Sequence, residues 1–199
     1  MSLSVNEGAA LVIAICFAAG LNVYATVATL GLLARSGFLE LPGSLDVVTS
    51  WWIIGAGGVM FVVEFFADKI PVFDLLWNAL QTVIRVPAGA ILAYAASTEL
   101  GLGWQLLAAT GGGTISFVAH GWKTAARAAA TTSPEPASNL ILSLSEDAVA
   151  IFITWFATQY PYLAAAIVLV LIALIVLSIR WMVKVLRRFW QSRKRAAPA

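Results

Sequence analysis

GLNVYATVATLGLLARSGFLELP (residues 20–42) and GGTISFVAHGWKTAARAAATTSP (residues 112–134) align without a gap when the second is set back by 92 positions. Gly20 then meets Gly112, Asn22 meets Thr114, and Tyr24 meets Ser116. Ala34-Arg35 meets Ala126-Arg127, and Pro42 meets Pro134. Each stretch passes from glycine through small and hydroxyl residues to an Ala-Arg pair and a proline turn. In the second stretch Gly111, Gly112 and Gly113 stand together. Each glycine costs a helix interior about 1 kcal/mol relative to alanine. Paired weak points at one offset therefore predict two helices broken near Gly20 and near Gly111–Gly113, one in each copy of a repeat.

The environment of these helices follows from composition. Of the 199 residues, 61% are hydrophobic and 11% charged, and the mean hydropathy is +0.90. A soluble domain carries about 25% charged residues. So few charges cannot clothe a water-facing surface, so the lipid bilayer is the expected solvent. Cys16 is the single cysteine, which excludes an intrachain disulfide. The opening MSLSVNEG lacks the basic stretch of a secretory leader, so the first apolar segment is expected to stay. No zinc, haem or iron–sulfur pattern is present and no cofactor is expected. No nucleophile–base set appears either, so the chain reads as a non-enzyme.

About 20 apolar residues make one membrane helix. Six candidate spans result, at about 9–34, 47–67, 86–97 (short), 102–122, 139–158 and 162–186. Between the second and third lies IPVFDLLWNALQTVIR. Its polar residues Asp74, Asn78, Gln81, Thr82 and Arg85 fall on one helical face. It reads as an amphipathic helix, lying in the interface or folded into the protein. The expected fold is an all-α integral membrane domain over residues 1–199. Its six transmembrane helices form two inverted three-helix repeats, at about 8–98 and 102–186, because an odd number of spans turns the second copy over. A basic tail at 187–199 follows.

Seven of the 12 Lys and Arg lie between Arg180 and Arg195. Flanked by Trp181 and Trp190, they mark a cytoplasmic anchor facing anionic lipid headgroups, and nucleic acid is the weaker partner for them. This orientation puts both termini in the cytoplasm of a bacterial inner membrane. His120, Lys123, Arg127, Arg85 and Lys69 fall on the inner side, and Arg35 is the exception outside. A bundle this small is also a candidate for dimerisation to cover its polar residues.

Intramembrane acids are costly and mark ion or proton pathways. Glu146 and Asp147 fall within the fifth span, and Glu64 and Asp68 one turn apart at the end of the second. These four, with Asn22, Thr114 and Ser116 just past the glycines, form the expected ion-binding set. Freed backbone groups at the breaks would complete it. Structural readings compete. Glycines allow close helix packing. Arg35 and Arg127 suit snorkelling anchors, and Lys69, Arg85, Lys123 or His120 suit charge partners for the acids.

The pieces AAGLNVYATVATLGLLAR, VEFFADKIPVFDLLWNALQTVIRVPAGA and NLILSLSEDAVA resemble an uncharacterised bacterial membrane-protein family, the domain of unknown function catalogued as 4126. The resemblance implies an integral membrane protein and supplies no activity. A second likeness is architectural: small cation exporters built from two three-span repeats, each with a Glu-x-Gly-Asp-Lys motif. Here Glu64 to Lys69 is one residue too long and has Ala67 where the motif has glycine, and Glu146-Asp147 has no following lysine.

The function expected from these features is transport or channelling of a small ion or solute. Acids on the second and fifth spans would bind a cation or proton near the midplane. The alternatives are a lipid-interacting scaffold, with the acids paired internally, and a lipid flippase, with Arg35 and Arg127 on phosphate headgroups.

Overall fold

The computed structural model describes residues 3–67, 71–130 and 136–196, without the side chains at 71–76, 128–130, 136–139, 186 and 189–196. Asp68 and Lys69 lie outside the described residues, as does the side chain of Asp74. The order is α1 (Val5–Arg35), a short 3-10 helix (Leu45–Thr49), α2 (Trp51–Ala67), α3 (Pro71–Ala96), α4 (Leu102–Ala130), α5 (Pro136–Gln159) and α6 (Pro161–Ala196), with no strand among the described residues. Four stretches are long and apolar enough to cross a membrane: Val5–Arg35, Trp77–Ala96, Leu140–Gln159 and Pro161–Val185. Large apolar side chains such as Trp52, Val83 and Ile141 stand exposed on the outside of the bundle. The chain is a multi-pass helical membrane protein.

α1 forms the core. Ser4 caps it reciprocally with Glu7, each side chain bonding the other's backbone N–H. Leu11, Ala14, Ile15, Cys16, Ala18 and Ala19 are fully buried, and all five other α-helices pack against α1. Its helical geometry fails at one residue, Asn22, whose backbone is extended (φ −151°, ψ 101°). A straight α1 would separate Gly8 from Arg35 by about 40 Å at 1.5 Å per residue. Yet Pro42 packs on Gly8, and a Cβ placed on Gly8 would touch its side chain at 3.5 Å. Residues 36–42 reach at most about 25 Å even when fully extended, and they begin with a tight turn in which Phe38 N–H bonds back to Leu33 O. α1 therefore folds back at Asn22 into two arms, residues 5–21 and 23–35, which begin and end at the same end of the bundle.

The other helices take their directions from this. α2 runs against the second arm, with Gly57 on Tyr24 and Ala28, and Ile54 on Gly31. α3 runs against the first arm, with Gly89 beside Cys16 and Arg85 beside Gly20. Ser44 N–H bonds to Ala95 O, which ties the α1–α2 loop to the end of α3. α5 and α6 are the arms of a hairpin at Tyr160, since Glu146 and Ile175 line one cavity. The second arm of α1, α2 and α3 thus alternate in direction, and α4, α5 and α6 alternate in the opposite sense. Exposed Trp51, Trp52, Trp104, Tyr160 and Tyr162 mark the starts of α2, α4 and α6 at the N-terminal end, where an interfacial aromatic belt would sit.

Several expectations need correction. The first apolar segment is a folded-back pair of arms, so residue 5 and the basic tail lie at opposite ends of the bundle. The amphipathic helix and the short third span are one helix, α3, which continues through Pro87. The predicted break at Gly111–Gly113 is absent, and α4 runs unbroken from Leu102 to Ala130. Of its three glycines only Gly112 is sterically required. A Cβ there would strike Gly89 O and the Ala93 side chain, whereas one on Gly111 meets nothing and one on Gly113 makes ordinary contact. Gly20 sits equally tightly against Ser116 and Ala119. These glycines let helices approach, as packing in lipid demands.

Candidate functional site

The break at Asn22 removes helical partners from the backbone around it, and in an apolar bundle such groups must be met from elsewhere. Side chains meet several of them. The Asn22 side-chain oxygen accepts from Ala25 N–H at 2.9 Å, so Asn22 is the N-cap of the second arm. Thr26 Oγ1 donates to Asn22 O at 2.8 Å. At the end of the first arm, Arg85 donates through Nη1 to Gly20 O and Leu21 O, and Lys123 Nζ donates to Leu21 O at 3.2 Å. Both cations stand at the negative end of that arm's helix dipole.

The same two cations hold the acids. Arg85 pairs with Glu64 Oε1 through Nη2. Lys123 Nζ lies 3.1 Å from Glu64 Oε1 and 3.3 Å from Glu146 Oε2, so a single ammonium group bridges α2 and α5. Arg127 closes on Glu146 with Nη2 at 2.7 Å and Nε at 3.1 Å from Oε2. Asn22 Nδ2 donates to Asp147 Oδ1 at 2.8 Å. Among the described side chains, the carboxylates Glu64, Glu146 and Asp147 thus meet the cations Arg85, Lys123 and Arg127. All six are buried, and Arg85 and Lys123 are among the largest fully buried side chains. Glu64 Oε2 has no hydrogen-bond partner among the described residues.

A polar shell from α3 and α4 orients these groups. Gln81 accepts from Arg85 Nε at 3.3 Å and donates to Tyr24 OH at 3.2 Å. His120 Nδ1 lies 3.3 Å from Arg85 Nη1. A guanidinium only donates, so Nδ1 accepts and the proton sits on Nε2, which faces Asn78 O and Thr82 Oγ1. Ser116 Oγ donates to Arg85 O at 2.9 Å. The polar face of the amphipathic sequence is therefore folded into the protein. Counted at 1.5 Å per residue, the cluster lies about 15–20 Å from either end of α3 and α5, half-way along the bundle.

Of the expected site residues, Glu64, Glu146, Asp147, Asn22 and Ser116 come together, and Arg85, Lys123, Arg127 and His120 join them. Thr114 does not. It is exposed, and its hydroxyl donates to Thr110 O within its own helix. Arg35 is exposed too, donating to Thr49 O at 3.2 Å and stacking on Trp51. That is interfacial anchoring, far along the second arm from Arg127. Gln81 was visible only as one point of a polar face. Thr26 carried no signal beyond lying within a turn of Asn22, and Tyr24 none beyond its place opposite Ser116 in the repeat alignment. No three His, Cys, Asp or Glu among the described residues are grouped as a metal ion would require.

Among the described residues, one cavity lies beside the cluster and another a turn away from Ser116. One, of about 450 Å³, opens at the N-terminal end between α1, α3 and α4, with Glu40 and Glu99 at its mouth and Gly112 and Ile115 in its wall. Ser116 lies one turn below Gly112. The second, of about 380 Å³, is bounded by α1, α4, α5 and α6, and Lys123 and Glu146 reach its wall.

No curated protein and no solved structure matches the chain. A family described as a domain of unknown function (DUF4126) matches residues 9–181, most of the sequence. The chain belongs to that family.

Proposed function

We propose that this protein is a small membrane transporter that moves an ion or small solute through the charge cluster at the break in α1, without covalent chemistry. The observation that carries this reading is Lys123, shared between Glu64 on α2 and Glu146 on α5. Buried ion pairs contribute little net stability, and apolar residues of the same size often stabilise more. Six ionisable groups half-way along an apolar bundle are better accounted for by movement of charge. Protonation of either glutamate would release Lys123 toward the other, which is a two-state element of the kind a proton-coupled carrier needs. The opposed alternation of residues 23–96 and 102–196 supports an inverted repeat, with the two glutamates on corresponding helices. Rocking of one unit against the other would open the cluster first to one cavity and then to the other. The basic end of α6 would face the cytoplasm and its anionic lipids.

A non-transporting scaffold draws on one observation, that each carboxylate already has a cation or amide against it. One measurement separates the two readings. Protein reconstituted in liposomes with an internal pH dye is expected to carry protons when a pH gradient and a permitted solute are supplied. Glu146→Gln, checked for an unchanged elution profile and thermal midpoint, is expected to abolish that flux. Equal flux in the variant would overturn this site.

A further inference from the structure

We infer that the cavity between α1, α4, α5 and α6 is a lipid site, which seats one acyl chain of a phospholipid from the bilayer leaflet at the basic end of the bundle. The inference goes beyond the transport reading and does not depend on it.

The wall of the cavity decides what it can hold. Its deep face is Phe17, Leu21 and Ile175, which are 3%, 6% and 5% exposed. Its two serine hydroxyls donate within their own helices, Ser145 Oγ to Leu142 O and Ser178 Oγ to Leu174 O, each at 2.8 Å. Lys123 and Glu146 reach the wall, but they hold each other at 3.3 Å. A buried water needs about two to four polar partners, and this wall supplies few. An apolar space left empty loses the dispersion contacts of its whole lining. A volume of about 380 Å³ falls within the range of roughly 300–1,000 Å³ that small-molecule pockets occupy. The occupant that fits is a flexible hydrocarbon chain.

The position of the cavity says where the chain comes from. Its rim is formed by Trp122 of α4 with Leu174 and Ser178 of α6, all exposed on the outside of the bundle. The cavity is therefore continuous with the lipid-facing surface. Leu171 to Ser178 lie roughly 15–25 Å along α6 from Pro161, in the half of the bundle toward its basic end. Leu171, Leu174, Ile175 and Ser178 share one face of α6. At the same helical spacing, exposed Met182 and Val185 prolong that face. A chain descending from the leaflet at that end would lie along Val185 and Met182 and enter at Ser178. Arg180 and Lys184 fall on the other side of α6, so the site recognises the chain and not the headgroup. A seated chain keeps water from this side of Lys123 and Glu146.

Phosphatidylcholine with a photoactivatable diazirine near the end of one acyl chain is a suitable probe. The full-length protein in nanodiscs containing it is irradiated, digested and read by mass spectrometry. Phe17 and Ile175 are expected to carry the label. So are Val170 and Leu177, each 59% exposed on the outward face of α6, which any surrounding lipid touches. Leu174→Trp, at the exposed rim, is expected to cut the label at Phe17 and Ile175 at least tenfold by filling the cavity, and to leave Val170 and Leu177 unchanged. Val170→Trp, on the outward face, is expected to leave Phe17 labelled as in the wild type. Unlabelled phosphatidylcholine and phosphatidylglycerol are expected to displace the probe equally well. Label confined to the outward residues of the wild-type protein would overturn the inference, whatever the variants do. A Leu174→Trp variant that keeps the label at Phe17 would overturn it too. A tenfold advantage of phosphatidylglycerol would place recognition in an anionic headgroup and sink the chain site. Loss of the Phe17 label in nanodiscs holding two copies would do the same, because a second copy would then cover the rim.

Discussion

Residues 20–24 of α1 and residues 112–116 of α4 hold matching places in the sequence, yet one helix breaks and the other does not. Glycine does not account for the difference. α4 has three consecutive glycines there and stays helical, whereas α1 has Gly20 alone at that place and leaves helical geometry two residues later, at Asn22. The difference lies in what meets the freed backbone. At α1, Asn22 caps the following arm, Thr26 returns a hydrogen bond, and Arg85 and Lys123 satisfy Gly20 O and Leu21 O. At residues 112–116 of α4 no such partners approach among the described residues. Thr114 spends its hydroxyl on its own helix, and Gly112 lies flat against Gly89 and Ala93. In a bilayer an unmet backbone group costs several kcal/mol, far more than the roughly 1 kcal/mol penalty of a helical glycine. Partners, not propensity, decide where a membrane helix opens.

If that is right, the largest effect should come from removing the principal partner. Arg85→Ala strips Gly20 O of its donor and leaves Glu64 and Leu21 O to Lys123. It is expected to cost about 3–5 kcal/mol, the usual penalty for stripping one side of a buried pair, and to lower the thermal midpoint and yield in detergent. A midpoint close to wild type would mean that α1 stays broken without its cations. Next comes Asn22→Ala, which removes the cap and the hydrogen bond to Asp147. The cap alone predicts a loss of about 1–2 kcal/mol, read from the same melting curves. Wild-type stability there would place the cause of the break outside Asn22.

These tests bear on what could be read from the residues in advance. Membrane class, helix order and the acids that meet in the cluster were legible because burial in lipid is written into composition and because an intramembrane charge stands out locally. Asn22 was legible as a polar residue two positions past a glycine. The fold-back of α1 was not, since it depends on Arg85 and Lys123, which arrive from 63 or more positions further along the chain. Nor was the fusion of the amphipathic helix with the third span. Its polar face suits an interface as well as a charged interior, and only the carbonyls of the broken arm distinguish them. The glycine triplet misled because loss of propensity and gain of close approach leave the same signature in a sequence.

The last contrast isolates those two meanings of glycine within a single helix. Gly112→Ala forces a methyl group into Gly89 O and Ala93. Overpacking of this kind costs about 1–3 kcal/mol, and here it would also push α3, and Arg85 with it, away from Gly20. Gly111→Ala puts the same methyl into open space one residue earlier. The expected result is no loss, or a gain of up to about 1 kcal/mol from helix propensity. The comparison can be made by unfolding both variants in parallel. If α4 had to open at its glycines during function, Gly111→Ala would slow flux while stabilising the fold. If only α1 opens, flux should survive Gly111→Ala at close to the wild-type rate. The flux of this one variant therefore decides whether the two halves of the chain share a hinge or only a sequence pattern.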